Sequence, residues 1–329
     1  MVASCSWAGS RIRLSDDPAI ACYADGMLSI APAQCHEREA AFRLAFQHLT
    51  FAEQTEKFHA ANEMIQTGEL SPDSVWLARD SIGLAGAMIV APVPGGGAAV
   101  YPPQGRPSLH RPNEVLDPLV NAATAWLKQC GIRLAQTLLS SSEKKLAVPL
   151  ERNGFAHITT LHYLRHFLDL SAEEIARNEK LEYRSVIDLP SNVVENVLLR
   201  TYVDSLDCPE VNLHRSAAQA LAGHRGNSVL FTKNWWVAFA DNEPVAVLLC
   251  NDMDDNTWDI AYLGVVSEAR QQGFGRDLVQ HALFEAKADD MLTVTLTVDE
   301  RNTPARKLYR KMGFEPFDEK VVYLWTASA

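Results

Sequence analysis

In the second half of the chain the apolar residues follow two periods in turn. Leu181 to Val186 reads as a short strand, Val193 to Tyr202 as a helix, and about Arg215 to His224 as a second helix. Trp235 to Phe239 and the apolar run Pro244 to Cys250 flank Asp241-Asn242, which predicts a hairpin. The polar run Asn251 to Asn256 predicts a further turn, leading into a strand over Trp258 to Val265. Beyond it Leu278, Val279, Ala282, Leu283 and Ala286 fall on one stripe of a 3.6-residue period, the mark of a helix packed on a sheet. Leu292 to Val298, rich in β-branched residues, predicts the next strand. A short helix then has Thr303 as N-cap, Pro304 at its first position and Gly313 as its stop, and Val321 to Trp325 forms a last strand.

The first half carries the same order more faintly. Ser74 to Arg79 and Gly83 to Val93 read as strands, Gly95-Gly96-Gly97 as a turn, and about Leu116 to Gln129 as a helix. Leu150-Glu151-Arg152-Asn153-Gly154-Phe155 lines up with Tyr309-Arg310-Lys311-Met312-Gly313-Phe314, and the offset between the two glycines is 159 residues. The same offset, without a gap, sets Leu119-Val120 on Leu278-Val279 and Arg111 on Arg270. Helix, strand and helix falling into one register predict an internal repeat.

Length agrees with that reading, since 329 residues exceed one average domain of roughly 100–200. The expected division is a disordered tail over 1–26, a first domain over 27–168, a polar linker over 169–180 and a second domain over 181–329. With 47% hydrophobic and 22% charged residues the composition is that of a globular protein. A formal net charge of −11 repels a phosphate backbone, so nucleic acid is not expected as a partner. No apolar run approaches the roughly 20 residues that span a bilayer, so no membrane partner is expected. The first 26 residues show no apolar signal-peptide core, being interrupted by Asp16, Asp17 and Asp25. Six scattered cysteines, with no CxxC pair and no spacing to His that suits a metal, read as reduced thiols of a cytoplasmic protein without a bound metal.

Chemistry concentrates after the strand that ends in Leu263-Gly264-Val265. There Arg270-x-x-Gly273-x-Gly275 opens the amphipathic helix, so consecutive backbone N–H groups and the positive end of a helix dipole form an anion cradle suited to a pyrophosphate. A dinucleotide fingerprint would need Gly where Leu278 stands, and a P-loop would need Gly-Lys-Ser/Thr. Downstream comes Leu296-x-Val298-x-x-x-Asn302-x-x-Ala305-x-x-Leu308-Tyr309-x-x-x-Gly313-Phe314. With these two motifs in strand and helix context, the segment Leu181 to Trp325 resembles the GNAT superfamily of N-acetyltransferases. The chain as a whole resembles a tandem GNAT protein: an α/β (mixed α+β) architecture of two domains, each a mostly antiparallel mixed sheet flanked by helices.

The resemblance implies acetyl-CoA as co-substrate and a primary amine, on a small molecule or a protein, as acceptor. It implies that Gln271, Gln272, Gly273, Phe274, Gly275 and Arg276 meet the CoA phosphates, with Arg270 either touching phosphate or bracing the loop. Leu263 and Val265 would line the cofactor from the strand end, the Val265 N–H polarising the thioester carbonyl. Asn302 would hold the pantetheine arm, and Tyr309 would protonate the departing thiolate, a task within reach of a phenol. Asp259 is the candidate general base, six residues before Val265 and, at period two, on the same face; Glu300 is the alternative. The acceptor pocket is expected around Tyr202 to His214 and the Trp235-Trp236 strand.

In the first copy Gly273 maps to Glu114, Gly275 to Leu116, Asn302 to Glu143 and Tyr309 to Leu150. A carboxylate in the cradle and no phenol predict a copy without catalysis. Two functions stay open: direct acetyl transfer in a ternary complex, since no Cys lies in either motif, or a non-catalytic acyl-CoA sensor with the first copy as a partner surface.

Overall fold

The structure is a computed structural model that describes residues 21–23, 28–169, 180–212, 215–225, 233–253 and 255–327. Its first half runs β1 (Ala21–Tyr23), β2 (Leu28–Pro32), α1 (Arg38–Ala45), α2 (Phe51–Thr67), β3 (Val75–Asp80), β4 (Gly83–Val93), β5 (Gly97–Gly105), α3 (Asn113–Gln129), β6 (Leu134–Leu139), α4 (Val148–Arg152) and β7 (Ala156–Phe167). The second runs β8 (Glu182–Ser185), α5 (Ser191–Tyr202), α6 (Pro209–Asn212), α7 (Ala217–Arg225), β9 (Trp235–Ala240), β10 (Glu243–Met253), β11 (Thr257–Val265), α8 (Phe274–Ala288), β12 (Thr293–Asp299), α9 (Thr303–Lys311) and β13 (Glu315–Thr326).

Two compact units result, and among the described residues only one of them is a continuous stretch. One holds the described residues up to Ile158 together with those from Val321 on; the other holds Thr159–Lys320. In the first, β1 to β6 follow one another across the sheet and the end of β13 completes it, with Val321 opposite Leu139 and Thr326 opposite Leu134. In the second the order is β7-β12-β11-β10-β9-β8, and β7 pairs antiparallel with β12 from Leu161 opposite Asp299 to Phe167 opposite Thr293. Each unit thus takes its closing strand from the other half of the sequence. The expected divide at 169–180 is therefore displaced: strand pairing carries Thr159–Phe167 into the second unit before the linker begins. Linker residues 170–179 lie outside the described residues. So does most of the 1–26 tail, but Ala21–Tyr23 forms β1, paired with Leu28–Ile30.

Both sheets are antiparallel except at one pair, β5 with β6 and β11 with β12, which are joined by α3 and α8 as crossover helices. The two units therefore repeat one mixed α/β plan. In the first, Val75, Leu77, Ala87 and Ile89 pack under α1, while Trp76, Ala78, Met88 and Val90 pack under α3, the period-two alternation of a sheet buried on both faces. In the second, the stripe Leu278, Val279, Ala282, Leu283 and Ala286 is buried against the sheet as its spacing predicts. Asp241 and Asn242 both have positive φ, 50° and 67°, the two-residue turn that matches strand twist. The turn expected over Asn251 to Asn256 is shorter. Asn251 lies in β10, accepting from Trp235 Nε1 (3.1 Å) and donating to the His224 carbonyl (2.8 Å). Among the described residues no helix is long and apolar enough to cross a membrane.

Candidate active site

The site grows from the end of β11. Val266 N–H donates to Val245 C=O at 2.9 Å, which makes 245 and 266 a hydrogen-bonded pair and turns the N–H groups of Leu263 and Val265, two positions apart, away from β10. On that other side the ladder with β12 runs from Thr257 opposite Thr293 to Ile260 opposite Leu296. The two amides face the gap that opens where the parallel strands part.

A β-bulge sits in the same strand. Leu249 pairs with Tyr262 and Cys250 with Ile260, so Ala261 is the extra residue. Following partners along β10, Leu263 and Val265 share a face with Ile260, whereas Asp259 shares the opposite face with Tyr262. The expectation that Asp259 and Val265 point the same way is thus corrected, because one inserted residue reverses the alternation. The Val265 face is the α8 side, where Trp236 meets His281 with ring centroids 5.0 Å apart. The Asp259 face is the α5 and α7 side, where the Tyr262 hydroxyl lies 2.7 Å from Thr201 Oγ1.

After a short helical turn over Ser267–Ala269, Gln271 takes φ 66° and Gly273 φ 93°, and α8 begins at Phe274 with Gly273 as its N-cap. A β-carbon on Gly273 meets nothing within 4 Å, so glycine is required there by the left-handed backbone and not by space. At Gly275 a β-carbon would stand 3.4 Å from Leu308 Cδ2 of α9, at van der Waals contact. Among the described residues, the amides of Gln271, Gln272, Gly273, Phe274 and Gly275 have no acceptor; the first one used is that of Arg276, bonded to Gly273 C=O at 2.9 Å. Five unpaired N–H groups at a helix N-terminus make an anion site of the kind that holds phosphate. Gln271, Gln272 and Arg276 have exposed side chains, and the Phe274 ring is buried in the core.

Arg270 works as a brace. Its guanidinium donates to the carbonyls of Val265 (3.1 Å), Asp204 (3.0 Å), Thr201 (3.0 Å) and Val203 (2.7 Å). It therefore caps the C-terminal end of α5 and ties the loop after it to the end of β11. Of the two roles the sequence left open, these four bonds favour the second.

At the other wall α9 starts at Thr303, and its N-cap is Asn302, not Thr303. Asn302 Oδ1 accepts from Ala305 N–H at 3.2 Å, so Pro304 stands at the second helical position, where its missing N–H costs nothing. The Asn302 amide donates to Asp207 Oδ2 at 3.4 Å. Tyr309 is buried, and burial together with the Asp207 charge raises its phenol above the usual range, keeping it protonated. Burial likewise lifts Asp259 to about 6, against a 2.7 Å hydrogen bond from Thr295 Oγ1 that lowers it. Glu300 receives no comparable placement; its carbonyl accepts from Arg306 and its amide donates to Thr160 C=O.

The sequence comparison agrees with this arrangement over part of the chain. Residues 201–314 match the family model "Acetyltransferase (GNAT) family". The chain carries a GNAT acetyltransferase domain. Its matched span runs from the last two residues of α5 to Phe314 and takes in the β11, α8 and α9 residues of the site. The peptidyl-lysine N-acetyltransferase YjaB of Salmonella typhimurium is 37% identical over 81 residues, 24% of this chain and 49% of that protein; the chain spans about half the length of this curated relative. Among solved structures, a GCN5-related N-acetyltransferase from Sphaerobacter thermophilus superposes with a TM-score of 0.58 at 16% identity, covering 91% of this chain and 95% of that one. A tandem GNAT protein from the clavulanic acid biosynthesis pathway gives 0.51 at 14% identity, covering 92% and 99%. These two show the fold.

Some parts of the GNAT domain's site were not read from the sequence. Tyr262 stands at 5.5 Å from the Tyr202 ring and 4.8 Å from the His224 ring, lining the Asp259 face with aromatics. Burial and the nearby Arg215 charge lower His224 to about 4, so its ring is neutral near neutral pH. Asp299 is fully buried and takes bonds from Thr159 Oγ1 (2.6 Å), Cys208 N–H (3.1 Å) and the Arg301 backbone and guanidinium. Asp207, Cys208 and Asp299 offer atoms within 4.8 Å of one another, close enough for a cation, but the Asp299 oxygens are already committed to these donors. None of this carries a local motif, because loop 203–208 reaches α9 through tertiary packing alone.

Proposed function

We propose that the chain is an acetyl-CoA-dependent N-acetyltransferase whose active site lies in the second unit, acting on a primary amine by direct transfer. The observation that carries this reading is the row of five unpaired amides at the start of α8, beside the open edge of β11. The residues fit the co-substrate chemically: amides and a helix dipole for the pyrophosphate, the Leu263 and Val265 edge for the amide-rich pantetheine arm, and the Asn302 side chain beside it. Bound acetyl-CoA supplies an activated acyl thioester. The chain's own groups do the rest. The Val265 N–H points to where the thioester oxygen gains charge, and donors preset for developing charge are a large source of rate. Tyr309, protonated and buried, gives its proton to the leaving sulfur. Asp259, on the opposite face with the aromatic rings, takes the proton that the attacking ammonium must lose, through a water molecule. The name of one relative points to lysine side chains as one acceptor class.

Two measurements test the reading. Calorimetry is expected to find one acetyl-CoA site per chain, and thiol release with a panel of amines is expected to find turnover. CoA binding without turnover on any amine would leave the sensor function standing instead. Tyr309→Phe is expected to lower kcat by about 10- to 100-fold with CoA affinity unchanged, within the usual span for a general acid. Unchanged kcat across the pH range would remove its role.

A further inference from the structure

Two aspartates stand close together in the second unit with opposite fortunes, Asp299 fully buried and Asp207 half-buried. Asp299 is wrapped by donors, and the Arg301 and Thr159 hydrogen bonds hold it down to about 2 despite its burial. Asp207 is approached by Asn302 Nδ2 at 3.4 Å and by the Asp299 backbone N–H, and desolvation nevertheless pushes it up to about 6. A half-buried carboxylate with two such donors, the side-chain one long, has unused acceptor capacity.

Its backbone, by contrast, is fixed from several directions. Asp207 N–H donates to Ser205 Oγ (3.2 Å), Cys208 N–H donates to Asp299, and Arg301 pairs with Glu210 at 2.6 Å just beyond. Arg270 holds the start of the same loop. Asp204 and Cys208 take left-handed φ values of 52° and 40°, a conformation that residues with a side chain adopt at a cost. The loop is thus built to present Asp207 in one place. That place is the reacting end of the site, since its charge is felt by both the Tyr309 and the Tyr262 phenols and its partner is Asn302.

We propose that Asp207 is the anionic anchor for the acceptor's ammonium group, the residue that selects a cationic amine and sets its nitrogen beside the thioester. Arg301 does not compete for this role, being occupied by Asp299 and Glu210. The aromatic faces of Tyr262 and Tyr202 lie on the same side of the sheet, which suits a cation with an apolar stem. The inference rests on the acetyltransferase reading for its purpose, but the ammonium site is testable without turnover.

The probes are n-butylammonium and n-butanol, matched in size and differing in charge, titrated into the full chain with and without CoA and followed by saturation-transfer NMR. Butylammonium is expected to bind the wild-type chain, to bind Asp207→Asn at least tenfold more weakly, and to regain part of the loss in Asp207→Glu. Butanol is expected to bind all three alike. Equal butylammonium affinity in wild type and Asp207→Asn overturns the proposal. So does an equal loss for butanol, which would mean that the pocket had merely collapsed, or no butylammonium binding to the wild type. CoA affinity, measured on the same samples, bears on the acetyltransferase reading alone. In turnover, Asp207→Asn is expected to raise the amine KM far more than it lowers kcat.

Discussion

The two crossover helices begin in the same place of the same plan, and their first turns differ in what their amides do. At α8 five consecutive N–H groups, from Gln271 to Gly275, have no acceptor among the described residues. At α3 the residues at the 159 offset are Pro112 to Leu116. Pro112 has no N–H, and the amides of Glu114, Val115 and Leu116 are closed onto Arg111 and Pro112 carbonyls at 2.8–3.1 Å. Side chains complete the contrast. Leu116 is buried over Gly86 and Gly105, whose β-carbon positions lie 3.5 Å from its Cδ2, and Glu114 pairs with Arg111 at 2.9 Å. Where the second unit keeps a polar cradle open, the first has filled it with core. One turn of helix separates closed amides from open ones, and positive φ at Gln271 and Gly273 is what keeps the latter from folding back.

The sharpest way to break this contrast is to give the second cradle the first one's residue. Gly273→Glu puts a side chain at φ 93° and a carboxylate where phosphate is expected. CoA affinity measured by calorimetry is expected to fall at least 100-fold, about 2.7 kcal/mol. Substituting Glu114 in the first unit is expected to leave the one-site stoichiometry intact. A second CoA site per chain, or an unaffected Gly273→Glu variant, would undo the comparison.

Much of this difference was legible beforehand and some of it was not. The stripe on α8, the Asp241-Asn242 turn and the loss of both glycines in the first copy follow from local rules of period, backbone freedom and charge. The exchange of β7 and β13 does not, because Ala156–Phe167 alternates equally well beside β6 or β12, and nothing local says which sheet it closes. The bulge at Ala261 was also hidden, as Ile260-Ala261-Tyr262 contains no glycine or proline to mark it. Since one residue reverses a strand's faces, that miss moved Asp259 to the wrong side. Asp207 lies within the stretch expected for the acceptor pocket, Tyr202 to His214, but could not be singled out there, because its partner Asn302 is 95 residues away.

A middle-sized effect is expected at Arg270, the residue that fits both a phosphate ligand and a brace by sequence. Its four bonds to carbonyls predict that Arg270→Ala lowers stability by about 2–3 kcal/mol, as charged donors lost from part-buried acceptors do. CoA affinity should change by only a few fold once the variant is folded. The opposite pattern, intact stability with CoA binding lost, would return Arg270 to the phosphate side. The first unit's counterpart, Arg111, pairs with Glu114 on the surface, so Arg111→Ala should do neither.

The smallest expected effect is the most direct on Asp259. Burial raises its carboxyl from 3.8 to about 6, so the folded state binds this proton more tightly than the unfolded chain does. For a raised group, stability is fully present below the unfolded value and is lost as pH rises through the folded one. Ionised Asp259 therefore burdens the fold above about pH 6, by an amount on the order of 3 kcal/mol at one pKa unit per 1.36 kcal/mol. Asp259→Asn removes that burden and keeps the Thr295 hydroxyl's acceptor, but buries two amide donors that cost about 1–2 kcal/mol. The net gain at about pH 8 is expected to be about 1–2 kcal/mol, fading toward pH 4 as the wild-type carboxyl takes up its proton. Thermal denaturation of both proteins across this range reads it, and a gain that grows on acidification would show that Asp259 is held by a cation instead. If turnover falls while stability rises, the buried charge is kept for its proton chemistry. At the 159 offset the first unit's strand carries Val100, which has no charge to trade.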